Sequence, residues 1–199
     1  MTSTIGVKKI QHTNGTAAAS INSSGVVTFN QIPVGPFIAE VDVFRLTANQ
    51  SGGTDADITS NLERVDDASF SKIGTGMTNS SGVFTFPRTG LYQVNMQCAV
   101  TANADANAMV GAQVSTNSGG AYDDVALANA GEEGSGDSKI TCYAHFFVNV
   151  TNISTFRVKF LTTSMGSSSF LMGDTNQNFT TFSFIRLGDS QWYKKIIYN

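Results

Sequence analysis

Gly82-Val83-Phe84-Thr85-Phe86-Pro87-Arg88-Thr89-Gly90-Leu91-Tyr92-Gln93-Val94 reads as a short strand, a proline turn, a glycine and the start of a long strand. Pro87 fixes φ and offers no N–H, so it suits a turn or a strand edge rather than a central ladder. Gly90 can take a backbone conformation closed to other residues. From Tyr92 onward the apolar side chains alternate: Tyr92, Val94, Met96, Cys98 and Val100, with Gln93, Asn95 and Gln97 between them. That period of two marks a strand with one buried face.

The pattern repeats outward from this stretch. Phe37 to Leu46 carries Val41 and Val43 on one face, and Asn49 to Asp57 reads as a turn-rich loop. Phe70 to Ile73 reads as a short strand. Val110, Ala112 and Val114 point inward from a strand over Ala108–Thr116, followed by a Gly-rich hairpin loop, Asn117 to Tyr122. Val125 to Ala130 is a strand or a single helical turn. Ile140, Cys142, Ala144, Phe146, Val148 and Val150 alternate along a second long strand. Phe156, Val158 and Phe160 mark the next, and Phe179 to Leu187 the last. No segment of useful length has helical period. About ten short strands with turns at intervals of roughly 8–12 residues imply an all-β antiparallel sandwich or jelly roll.

Composition agrees. The 199 residues are 41% hydrophobic, enough for a core, but only 14% charged, against about a quarter in ordinary domains. Gly, Ser, Thr and Asn fill the difference, as short strands with many turns require. Net charge is −3, and no basic footprint for nucleic acid appears. No apolar run is long enough to span a bilayer. Met1-Thr2-Ser3-Thr4-Ile5-Gly6-Val7 lacks the regions of a signal peptide, so folding in a cytosol is expected. Cys98 and Cys142 fall on apolar strand faces and are expected as buried free thiols rather than a disulfide.

Three regions follow: an arm and linker over 1–36, a β domain over 37–188 and an extension over 189–199 that contains Trp192. The arm has small β units around Ile5, Val7, Ile10, Ile21, Val27 and Phe29, with turns at Asn14-Gly15 and Asn22-Ser23-Ser24-Gly25. It holds too few apolar residues for a core of its own. A disordered tail is one reading; the regular turn spacing favours an arm that orders on a partner.

The second long strand is apolar on both faces, because Tyr143, His145 and Phe147 interleave with the core set. Phe182 and Phe184 give the last strand a similar look. A strand apolar on both faces is covered on both, by a loop or by another subunit; aromatic enrichment is common at interfaces.

Catalytic chemistry is not signalled. His12 lies in the arm and His145 between aromatics, and no Gly-x-Ser-x-Gly elbow accompanies them. Asp55/Asp57, Asp66-Asp67, Asp123-Asp124 and Glu132-Glu133 fall in loops without calcium-loop spacing. No metal or cofactor is expected, and no enzyme activity.

Gly82, Phe84, Pro87, Gly90 and Tyr92 resemble the signature of the jelly roll shared by complement globular heads and tumour-necrosis-factor-like ligands. Phe44-Arg45-Leu46 looks like that family's first strand, and Leu171-Met172-Gly173-Asp174 like its Gly-Asp turn. Thr181-Phe182-Ser183-Phe184-Ile185 resembles its closing strand, with Phe184 where the family has Gly. Lys72 and Met77 stand where the family has an Asn and an aromatic. The resemblance covers roughly 37–188 and implies a homotrimer. It turns the second-face question toward an intersubunit interface at Leu91, Tyr143, His145, Phe147, Phe182 and Phe184.

The arm looks different in kind. Lys9-Ile10-Gln11-His12-Thr13-Asn14-Gly15-Thr16 and Ile21–Phe29 resemble the N-termini of structural proteins of tailed bacteriophages, marine ones especially. That implies a virion protein, assembled in a bacterial cytoplasm, whose arm attaches a fibre or decoration domain to capsid or tail. A receptor- or glycan-binding module is the alternative, with its site in loops 49–57, 101–107, 117–124 and 131–138.

Overall fold

The computed structural model describes residues 9–11, 17–29, 38–134 and 136–191. The chain divides into two compact units, Met1–Phe37 and Ile38–Asn199. The first contains β1 (Lys9–Gln11), β2 (Ala17–Ile21) and β3 (Val27–Phe29), an antiparallel sheet in that order. Asn22 closes the β2–β3 turn: its Oδ1 accepts the N–H groups of Ser24 at 3.0 Å and Val26 at 2.9 Å. An Asn side chain standing in for a backbone carbonyl is the usual reason for Asn in such a turn. Ile10 lies in β1, Ile21 ends β2, and Val27 and Phe29 lie in β3. Ile5, Val7 and the Asn14-Gly15 turn lie outside the described residues, as does Trp192.

The second unit is two antiparallel sheets. Its strands are β4 (Val41–Leu46), β5 (Gln50–Ser51), β6 (Ala56–Asp57), β7 (Leu62–Arg64), β8 (Lys72–Ile73) and β9 (Thr78–Ser80). They continue with β10 (Val83–Thr85), β11 (Gly90–Asn103), β12 (Met109–Ser115), β13 (Asp123–Asn129), β14 (Asp137–Val150), β15 (Arg157–Thr163), β16 (Phe170–Leu171) and β17 (Thr181–Gly188). One sheet runs β13-β12-β15-β10-β9, with β6 also on β15. The other is built on β11, which pairs β14 on one side and β17 and then β16 on the other; β17 continues to β4, and β4 to β7 and β8.

The expected strand–turn–strand is present over Gly82–Val94. Gly82 has φ of +80°, and a Cβ there would collide with the carbonyl oxygen of Ile58, so the position accepts only glycine. A Cβ on Gly90 would come within 2.6 Å of the Gly188 carbonyl oxygen. β11 and β14 then pair over 14 residues each without a register break, from Gly90↔Val150 to Asn103↔Asp137.

Inward residues of both sheets meet in one core that includes Phe84, Tyr92, Val94, Met96, Val110, Val148, Phe160, Phe182 and Phe184. Phe84 is central: its ring lies 5.0 Å from Phe44, 5.0 Å from Phe184 and 5.8 Å from Phe160. Such offset and edge-on aromatic pairs add to the gain from burial.

Four expectations change. Phe182 and Phe184 are core residues, 0% and 1% exposed. They pair across from Met96 and Val94, which point inward, so an interface role for them fails; the outward residues of β17 are Thr181, Ser183 and Ile185. Asn49–Asp57 is not only loop, since its ends form β5 and β6 on β16 and β15. Of Phe70–Ile73 only Lys72–Ile73 is strand, and Phe70 makes an isolated bridge to Asp67. The 125–130 alternative resolves as strand, within β13.

Candidate functional site

Strand parity divides the residues of β11. Even-numbered side chains enter the core, and Leu91, Gln93, Asn95 and Gln97 line the outer face. Across the register Gln97 faces Tyr143, Asn95 faces His145 and Gln93 faces Phe147. On the other side the same three face Thr181, Ser183 and Ile185. Three strands thus present one continuous outer surface.

Its amides are committed to each other. Gln93 Nε2 donates to Asn95 Oδ1 at 2.7 Å, and Asn95 Nδ2 donates to Ser183 Oγ at 3.0 Å. Gln97 Nε2 reaches the carbonyls of Asn178 and Phe179 at 3.0 and 3.3 Å. The aromatics beside this ladder are bare: Tyr143 is 67% and Phe147 58% exposed. His145 is exposed between them, edge-on to Phe147 at 6.2 Å between centroids and 83° between planes. Leu91 is half-buried at one end. A depression of about 350 Å³ opens between the strands, lined by Asn95, Gln97, Tyr143, His145, Thr181 and Ser183. At the far end the face is closed. Ala99 and Thr101 are nearly buried, and the chain from Leu171 to Thr180 runs alongside, Met172 N–H donating to Ala99 O at 2.8 Å.

Of the expected interface residues, Leu91, Tyr143, His145 and Phe147 therefore share this face, and Phe182 and Phe184 lie beneath it. The polar partners Gln93, Asn95, Thr181 and Ser183 were not singled out from the sequence, although they are the polar half of the same alternation.

The charged groups of the face stand apart, at the start of β14 (Asp137 and Lys139) and at the β4–β7 edge. Arg45 is on the outer side of β4 yet only 3% exposed. Its guanidinium meets Glu63 at 2.8 Å, Asp66 at 3.2 Å and Asp67 at 3.3 Å. Burial pulls its pKa down, but the hydrogen bonds to Glu63 and Asp67 outweigh that and hold it above its ordinary value. On the inner side Asp42, 1% exposed, accepts from Arg64 Nε at 2.8 Å, Arg64 Nη2 at 3.0 Å and the Met77 N–H at 2.7 Å. Both clusters brace an edge, their carboxylates held by the two arginines.

Other candidate chemistry disperses. Among the described residues no three His, Cys, Asp or Glu side chains are grouped to hold a metal ion. Asp55 accepts from Thr163 Oγ1 at 2.6 Å, Asp57 pairs with Lys159 at 2.9 Å, and Asp124 accepts from Gln113 at 2.8 Å. Cys98 and Cys142 are buried, free and directly opposite each other on β11 and β14. A hydrogen bond shared with Cys142, together with burial, pushes the Cys98 thiol well up, which removes it as a nucleophile.

Two facing antiparallel sheets in this order make the second unit a jelly roll. The similarity to solved structures is at the level of the fold. Eiger TNF from S. frugiperda aligns with TM-score 0.58 at 13% identity, over 78% of this chain and 96% of that one. Murine APRIL aligns with TM-score 0.51 at 12% identity, over 74% and 98%. No protein-family model and no curated protein sequence matches the chain.

Proposed function

We propose that the chain is a non-enzymatic structural protein of a bacteriophage virion: a trimeric fibre head or a capsid or tail decoration, attached by its N-terminal arm. The observation that carries the trimer is the outer face of β14 and β11, where Tyr143 and Phe147 stand more than half exposed on a surface whose own amides are already paired. Large exposed aromatics whose near neighbours on the sheet are uncharged are the composition of an interface core. Second copies of this chain are the occupant, since the jelly-roll resemblance implies three subunits around one axis. The virion assignment rests on the arm's resemblance to phage structural proteins. Main-chain pairing or intertwining of a β-rich arm with capsid or tail suits such an attachment, and three arms on one object add avidity.

Light scattering on the purified chain tests the trimer: three subunits at micromolar concentration support it, and a monomer removes it. Deleting residues 1–36 tests the arm. A trimer that no longer enters virions supports attachment through it, and undiminished incorporation removes that role.

The depression beside Tyr143 supports a second reading. Amides, hydroxyls and an aromatic around about 350 Å³ are the groups that bind saccharides, and a host-surface glycan or receptor is the partner they suit. This reading needs the face open where the first needs it covered. Binding on a glycan array by a protein that is monomeric in solution is the result that favours it.

A further inference from the structure

His145 sits in the middle of the outer face, and its chemical surroundings are unusual for a histidine. Its own strand places Tyr143 and Phe147 beside it. Directly opposite is Asn95, whose Oδ1 accepts from Gln93 and whose Nδ2 is donated to Ser183. Gln97 is turned to backbone carbonyls, and β17 contributes Thr181 and Ser183. The charged groups of this face are remote: Lys139 and Asp137 six and eight residues back along β14, and Arg45 with its carboxylates three strands away on β4. No carboxylate on β14, β11 or β17 faces the imidazole.

We propose that His145 makes assembly through this face pH-dependent, the trimer forming with neutral imidazoles and coming apart when they are protonated. The inference rests on the trimeric reading above. Histidine is the side chain whose ordinary charge change falls in the mildly acidic range. Covered by a sister subunit, the ring at His145 loses water, and burial penalises a charged form. Protonation therefore opposes the covered state. Assembly strength is fully present while the imidazoles are neutral and is lost as pH falls and they take up protons. Three copies act together. With protonation excluded from the trimer, a loss of about tenfold at each of the three histidines lowers the trimer constant by roughly a thousandfold.

The test is sedimentation velocity of the full chain from pH 8 to pH 5, alongside His145→Gln and His145→Phe. The expected result is a wild-type trimer at pH 8 that dissociates between pH 6.5 and 5, and variants that stay trimeric throughout. The other histidine, His12, is unchanged in these variants and serves as the control. Equal dissociation of wild type and both variants, whether from His12 or from acid unfolding, overturns the inference. A wild-type trimer of unchanged strength across the range overturns it and leaves the trimeric reading standing. A monomer at pH 8 overturns the trimeric reading itself.

Discussion

Tyr92 Oη donates a 2.9 Å hydrogen bond to the carbonyl oxygen of Arg88, four residues earlier in the chain. The bond spans the Pro87–Gly90 turn, and the ring beneath it packs at 4.8 Å against Phe86 on the other limb. One side chain therefore fixes the turn and anchors the start of β11. Tyr92→Phe keeps the ring and loses the bond, for an expected cost of about 1 kcal/mol. Tyr92→Ala removes the ring as well and is expected to cost about 3–5 kcal/mol. Urea midpoints of the two variants against wild type measure both.

The same phenol predicts an alkaline limit. Burial, with Glu40 nearby, pushes the Tyr92 pKa up to about 12, from an ordinary value near 10. The native state thus holds the proton more tightly than the unfolded chain. The associated stability is intact below pH 10 and is lost as pH rises from about 10 toward about 12. Stability measured from pH 9 to 11.5 is expected to fall, and Tyr92→Phe is expected to flatten that part of the profile. Equal slopes in both proteins place the loss elsewhere.

Asp42 and Arg64 give the strongest polar prediction. Asp42 is almost fully buried and is satisfied by two Arg64 nitrogens and the Met77 N–H. Removing one partner of such a pair leaves a buried charge uncompensated, at about 3–5 kcal/mol. Arg64→Ala is expected to lose that much in chemical denaturation, and it also removes the guanidinium stacked 4.9 Å over the Phe44 ring. Arg64→Ala combined with Asp42→Leu is expected to recover part of the loss, since the stranded carboxylate is then gone.

Cys98 and Cys142 are expected to resist oxidation although they are register partners. The N–H and C=O of Ala99 both point away from β14, to Thr180 and Met172. Those of Cys98 therefore point toward β14, which makes Cys98–Cys142 a hydrogen-bonded pair with Cα atoms about 5.5 Å apart, a spacing that a disulfide can span, so the protection comes from burial and not from distance. The hydrogen bond the two share raises the Cys98 pKa and lowers that of Cys142, so thiolate is scarce at Cys98 only and it is burial that protects both. A thiol reagent at pH 8 is expected to leave both cysteines unmodified in the native protein and to modify both in denaturant. Rapid native modification of either one overturns this.

The strands that alternate over many residues were legible because burial on one face writes a period of two into the sequence. β11, β14 and the Gly82–Gly90 turn are of this kind. β5, β6 and β16 were not legible: each is two residues long, β6 and β16 lying on the free ladder edges of β15 and β11 and β5 on β16. Asp66 and Asp67 lay in an apparently solvated loop, and only the chain's return past β4 brings them, with Glu63 of β7, to Arg45. Phe182 and Phe184 were misread for a different reason. Aromatics on a strand state that a face is covered but not which face. Register with Val94 and Met96 decides that, and register is a property of the sheet.

That distinction yields a paired prediction. Phe184 fills the centre of the core against Phe84, where the resembling family has glycine; Tyr143 lies on the surface one strand beyond β11. Phe184→Ala leaves a cavity and is expected to cost about 3–5 kcal/mol of stability. Tyr143→Ala removes an exposed side chain and is expected to change subunit stability by about 0.5 kcal/mol or less. If the face is an interface, the same change weakens association by about 2 kcal/mol, as truncating a central aromatic does. Denaturation at several protein concentrations separates the two effects, because association makes the midpoint concentration-dependent. Phe184→Ala is expected to lower the midpoint at every concentration. Tyr143→Ala is expected to leave the low-concentration midpoint in place and to abolish its rise with concentration. The reverse pattern would return Phe184 to the interface and make Tyr143 a structural residue.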